Sequence, residues 1–164
     1  MMISSELAAA INEQIGHEFT ASLQYLSIAS HFDSQHLALL AKLFFKQAEE
    51  EHQHGLKLLH YLVDTKAGLN LPAVPAPTAS FASSEDAVAA AVAWEHEVTR
   101  RINALIDQAV ADNDYLAQGF LQWFVDEQLE EVTTMERLLA VVRQAGEHNL
   151  LMVEAYLVHL DKAG

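Results

Sequence analysis

Cysteine is missing from this chain altogether. Without it there is no disulfide framework and no thiolate metal site, and the lack fits a reducing compartment, so a cytoplasmic protein is expected. Positive charge is also thin. Nine Lys and Arg stand against 23 Asp and Glu, a formal net charge of −14. Such a surface repels nucleic acid and anionic membranes and draws cations, and there is no basic tail with which to hold DNA or RNA. Long apolar runs are absent too: none approaches the ~20 residues that a membrane span needs. The opening MMISSELAAA has neither a basic segment nor a cleavage-like apolar run, so it does not read as a signal peptide. No strand pattern and no internal repeat stands out.

What remains is helical. Hydrophobic residues make up 51% of the 164, enough for a sizeable core in a single domain spanning 1–164. Ser4 and Ser5 followed by Glu6 look like a helix start, and the first helix is expected over about 4–33. A tight turn at Asp33 to Gln35 leads to a second helix over about 36–64. Thr65 to Ala82 carries Gly68, Asn70, Pro72, Pro75 and Pro77 and reads as a loop. Ser83, Ser84, Glu85 and Asp86 supply caps and acids for a third helix, about 83–112. After Asn113 and Asp114 a fourth helix covers about 115–144, and beyond Gly146 a fifth covers about 147–161. Short turns make the first and second helices antiparallel neighbours, and likewise the third and fourth. The second helix, at ~29 residues, is ~43 Å long. The ~18-residue loop reaches ~60 Å when extended, enough to travel the whole bundle. The expected fold is therefore all-α, a four-helix bundle with one long crossover between the second and third helices plus a short C-terminal fifth helix.

The core stripes, stepping alternately by three and four, are interrupted at one level. They read Ile11, Ile15, Glu18, Ser22, Tyr25, Ala29, Phe32; then Leu37, Leu40, Phe44, Gln47, Glu51, His54, Leu58, Tyr61; then Val88, Ala91, Glu95, Val98, Ile102, Leu105; then Leu121, Phe124, Gln128, Glu131, Met135, Leu138, Val142. Glu18, Glu51, His54, Glu95, Gln128 and Glu131 thus occupy positions where Leu or Val belongs. A buried carboxylate without a partner is very costly, and four of them make sense around bound cations. Residues three apart share a helix face, so Glu51 with His54, and Gln128 with Glu131, reach one place. Oxygen-rich ligation with one imidazole suits iron, manganese or zinc. Four negative charges balance two divalent ions, with Glu51 placed to bridge them. Tyr25, one heptad after Glu18, belongs beside the pair, and Trp123 stands close enough in sequence to lie near it. A polar layer that only fixes helix register is the plainer account, but such layers usually hold one Asn or one ion pair, not four carboxylates without Lys or Arg.

The stretches EQIGHEFTASLQY, QAEEEHQH, WEHEVTRRIN and FLQWFVDEQLEEV, with the spacing between them, make the whole chain resemble the bacterial non-haem ferritins, of the ferritin-like diiron carboxylate family. The resemblance implies that Glu18, Glu51 and His54 hold a first iron. Glu51, Glu95 and Glu131 hold a second, with Glu51 bridging and the Gln128 amide near a bridging oxygen species. It also implies that Glu50, Glu127 and Glu130 offer carboxylates to a third iron position, although from the residues alone, off the stripes, a solvated charged face is the preferred reading. By the same resemblance the protein oxidises Fe(II) with dioxygen or peroxide and stores ferric mineral inside a homo-oligomeric cage of 24 subunits. The last helix, apolar on more than one side, would surround the channels of that cage; packing on its own bundle is the alternative. Two departures from bacterioferritins stand out. Gln128-x-x-Glu131 replaces a second Glu-x-x-His, and His52 stands where a haem-binding Met would follow the bridging Glu, so no haem is expected; a solvated surface role suits His52, as it does the remaining histidines.

Three other functions compete. A DNA-protecting mini-ferritin would want a basic tail, a short helix in the crossover and no fifth helix. A diiron oxidase or peroxidase that stores nothing would usually want the second Glu-x-x-His. A purely structural helical module would leave the core carboxylates without a ligand.

Overall fold

The computed structural model describes residues 2–163. Four long helices, α1 (Ser5–Ser34), α2 (Ala38–Asp64), α3 (Ser84–Ala111) and α4 (Tyr115–Ala145), are followed by a 3-10 turn (Glu147–Asn149) and the short α5 (Leu150–Ala163). Pairs α1 with α2, α3 with α4, and α1 with α3 pack along their lengths. The expected starts shift slightly at four points. Ser4 and Ser83 are caps, their hydroxyls accepting from the amides of Leu7 and Asp86. His36 has φ of 59°, a left-handed turn residue, so α2 begins only at Ala38. The 3-10 turn likewise delays α5 to Leu150.

Every stripe position read from the sequence is buried. The apolar ones do not form one continuous core. One cluster, including Tyr25, Phe32, Phe44, Val88, Met135 and Val142, fills one end of the bundle; another, including Ile11, Ile15, Leu58, Ile102, Leu121 and Phe124, fills the other. The polar level lies between them. Trp94 packs against both clusters and spans the gap.

The crossover after α2 is laid along α1. The Asn70 amide donates to Asn12 Oδ1 at 2.7 Å, the Thr78 amide to Gln24 Oε1 at 2.9 Å, and the Ser27 hydroxyl to the Thr78 carbonyl. Gly16 makes room for Pro72: a Cβ there would meet the proline Cγ at 2.3 Å. The loop is thereby pinned at successive turns of one helix.

α5 packs on its own bundle with one side only. Leu150 and Val153 are buried, whereas Leu151 and Met152 are 74% and 67% exposed, and Val158 and Leu160 are exposed as well. Its Glu154 does more than pack. The first residue before α2, Leu37, offers no side-chain cap. In its place the Glu154 carboxylate accepts from the amides of Leu39 at 2.9 Å and Leu40 at 2.8 Å, an anion on the positive end of a helix. Replacing it by Ala should destabilise the protein by about 1 kcal/mol, as loss of a helix cap does. In a chain of this size that lowers the melting temperature by about 2–4 °C. Calorimetric melting of Glu154→Ala checks this, and an unchanged midpoint would mean the cap contributes nothing.

Candidate metal centre

The polar level gathers side chains from all four long helices. Glu18 comes from α1, Glu51 and His54 from α2, Glu95 from α3, Gln128 and Glu131 from α4, and all six are buried. Two triads can each present ligand atoms within 4.8 Å of one another: Glu18 with Glu51 and His54, and Glu51 with Glu95 and Glu131. Glu51 belongs to both. The i,i+3 spacing sets His54 Nδ1 3.3 Å from Glu51 Oε2.

The carboxylates are held by neutral donors. Gln14 Nε2 donates to Glu18 Oε1 at 2.9 Å and Gln47 Nε2 to Glu131 Oε2 at 2.6 Å. Gln128 Nε2 reaches Glu95 Oε2 and the Glu95 carbonyl, each at 3.2 Å, and Thr99 Oγ1 at 3.0 Å. The Tyr25 hydroxyl donates to Glu95 Oε1. Two buried oxygens, Glu18 Oε2 and Glu51 Oε1, are left without any hydrogen-bond partner. Buried acceptors are almost always satisfied, so a pair of bare carboxylate oxygens in one cluster fits a cation.

Electrostatics say the same. Burial, reinforced by Glu51, pushes Glu18 well above the usual carboxylate range, and burial with Glu95 does so for Glu51. Glu95 is raised by burial, although Tyr25 and Gln128 hold it down. Glu131, raised by burial and by Glu95, reaches about 7. Burial and the charge of Glu95 also raise the Tyr25 phenol, which stays a donor. Without cations these groups hold protons; with cations they release them.

A groove opens on this level between α2, α4 and α5. It has a volume of about 310 Å³, and its lining includes Lys42, Lys46, Glu50, Glu127, Glu130 and Asp161, with Gln47 and Glu131. Glu127 approaches His54 and Glu131 closely enough for a third triad. Glu50 and Glu130 line the groove without joining a triad, and Glu50 pairs with Lys46 at 3.3 Å. Trp123 stands edge-on to His54, ring centres 5.4 Å apart, with Lys57 Nζ 4.0 Å above it. His52 is exposed and lies against the Phe19 ring. Sequence reasoning missed Gln14 and gave Gln47 no role. Gln14 stands four residues before Glu18, and that spacing is the signal that could have found it; Gln47 stands four before Glu51 but donates to Glu131 on another helix, so its spacing does not announce its partner.

A family model described as a ferritin-like domain matches residues 8–145. Ferritin BfrB of Mycolicibacterium smegmatis is 38% identical over 155 residues, covering 94% of this chain and 85% of that protein. A bacterial non-heme ferritin of Staphylococcus aureus is 36% identical over 146 residues, covering 89% and 88%. Among solved structures, the open pore ferritin from the archaeon Archaeoglobus fulgidus superimposes with a TM-score of 0.90 at 32% identity, covering 95% of this chain and 96% of that one.

The raised carboxylates fix the sign of a pH dependence. A carboxyl whose folded pKa exceeds its unfolded value stabilises the fold fully below the unfolded value, and that contribution is lost as pH rises through the folded one. For Glu131 the window runs from 4.5 to about 7. Metal-free protein should therefore lose melting temperature as pH rises through that window, and Glu131→Gln should flatten part of the slope. Fe(II), Zn(II) or Mn(II) should raise the midpoint at pH 7 by mass action. Midpoints indifferent to both pH and divalent ions would remove the case for a core metal centre.

Proposed function

Because the chain belongs to the ferritin family, we propose that it takes Fe(II) as substrate at the buried centre, passes the electrons to dioxygen or peroxide, and stores the ferric product inside a cage of 24 copies. The observation that carries this reading is the sharing of Glu51 between two buried triads, with bare oxygens on Glu18 and Glu51. A shared carboxylate draws two ions side by side. Two ferrous ions there supply two electrons at once, enough to reduce dioxygen to peroxide or peroxide to water without releasing a one-electron product.

Glu18, Glu51 and His54 would hold the first ion, and Glu51, Glu95 and Glu131 the second. Four carboxylate charges neutralise two divalent ions, which removes the repulsion that otherwise calls for protons. The remaining side chains orient and shield. Tyr25 and Gln128 fix Glu95 from opposite partners. The apolar clusters on either side keep bulk water away and lower the local dielectric, which strengthens the hold on charge. The groove carries Glu50, Glu127 and Glu130 toward the outside, a path along which cations pass from carboxylate to carboxylate and on which a third ion would rest.

Storage needs an enclosure, and α5 supplies part of the argument for one. Its outward residues Leu151, Met152, Val158 and Leu160 are too apolar to face water. Closed symmetric assemblies cover such stripes without leaving open edges. Among the described residues no helix is long and apolar enough to cross a membrane.

Aerobic Fe(II) addition followed optically tests the chemistry. Loss of a mere hydrogen-bond partner to a metal ligand weakens binding by about 10–100-fold; loss of the shared ligand in Glu51→Ala should slow oxidation by more than about a hundredfold. His54→Ala should slow it strongly, because the first position loses its imidazole. A Glu51→Ala protein as fast as the parent would refute the assignment. Removal of the residues after Gly146 should damage assembly or mineral retention while sparing the first oxidation, since every assigned ligand lies within α1 to α4. Native mass reads the assembly, and a monomeric or dimeric full-length chain would overturn the cage.

A further inference from the structure

Glu131 is within reach of two destinations. It lies in the inner triad with Glu51 and Glu95, and also in the outer triad with His54 and Glu127. It lines the groove as well, where Lys42 and Lys46 offer it other partners. One of its oxygens is bound by Gln47. This amide is buried on α2, it donates across the bundle to Glu131 Oε2 at 2.6 Å on α4, and it too lines the groove. Glu18, on the opposite wall, has its own buried amide in Gln14, which donates to Oε1 at 2.9 Å and leaves Oε2 bare.

We propose that Gln47 and Gln14 are positioning residues with separate duties. Gln47 commits Glu131 to the second metal position and keeps it from the outer triad, and Gln14 commits Glu18 to the first. The chemistry is that of an oriented ligand. One carboxylate oxygen bound to an amide N–H fixes the plane of the group and leaves the other oxygen for an ion. A neutral amide does this without supplying a charge that would displace the cation. Lys or Arg in the same place would form an ion pair and empty the position. The two amides act on different carboxylates, and those carboxylates belong to different triads, so their effects separate.

This inference rests on the metal-centre reading. The test uses the full-length, assembled protein, titrated anaerobically with Co(II) and followed by calorimetry and visible absorption. Parent protein that binds no Co(II) in the core defeats that reading rather than this inference. With binding established, Gln47→Met should weaken the second ion about 10–100-fold and leave the first within a factor of about two, and Gln14→Met should do the reverse. Met keeps most of the volume, and circular dichroism with native mass confirms that each variant is folded and assembled. A double-mutant cycle separates positioning from general loosening. Once Glu131 is replaced by Ala, adding Gln47→Met should change Co(II) binding no further, and likewise Gln14→Met on Glu18→Ala. The inference is overturned if either glutamine variant weakens both ions alike, weakens neither, or keeps its full effect after its carboxylate is gone. It is equally overturned if a variant fails to fold while its partner carboxylate variant folds, because the amide would then serve the bundle and not the ligand.

Discussion

Mutual repulsion among four carboxylates held in one plane, away from water, is the constraint to which the rest of this bundle answers. Its hydrophobic interior is divided into two clusters that sandwich the plane. The donors facing it are all uncharged: three glutamines and a tyrosine. No Lys or Arg is buried among the described residues. That choice of donors matters more than their number. A fixed cation would have settled the charge once and permanently. Amides and a phenol orient the oxygens and leave the charge to be settled by whatever ions arrive, which is what a centre that loads and unloads requires.

The same choice explains the groove. Inside, carboxylates meet neutral donors; outside, Glu50 meets Lys46, and Lys42 stands nearby. Ion pairs at the rim are solvated and weak, so they set a local field without closing the path. The gradient runs from a mixed, wet mouth to a dry floor of carboxyl groups without Lys or Arg. Cations drawn by the overall negative surface therefore meet an increasingly favourable environment toward the centre.

Much of this was legible in the sequence because helical periodicity is a strong signal. Each stripe position became a buried residue, and the residues that broke the stripes met at one level, since side chains three or four apart on packed helices have few other places to go. What was not legible depended on partners distant in the chain. The path of the crossover follows from Asn12 and Gln24 on α1, whose side chains hold Asn70 and Thr78; its prolines and glycine announced only a loop. Gln47 looks from its spacing like a partner of Glu51 on its own helix, yet it bonds Glu131 on another. Gln14 lies beside the stripe rather than on it. His36 was read into a helix because nothing in its neighbours announces a left-handed turn.

Glu154 shows how a single carboxylate can decide the character of a whole segment. The α2 amides it holds lie 115 and 114 residues away in sequence. Fourteen residues after a glycine with φ of 74° could behave as a tethered arm, sampling many poses and losing that freedom on every encounter. Clamped near its beginning, at Glu154, to the start of another helix, α5 instead presents Leu151, Met152, Val158 and Leu160 as a template of set orientation. The entropy of ordering is spent during folding of one chain and not again when chains meet. In the proposed cage, association would then be a matching of rigid shapes, with angles between neighbours dictated in advance.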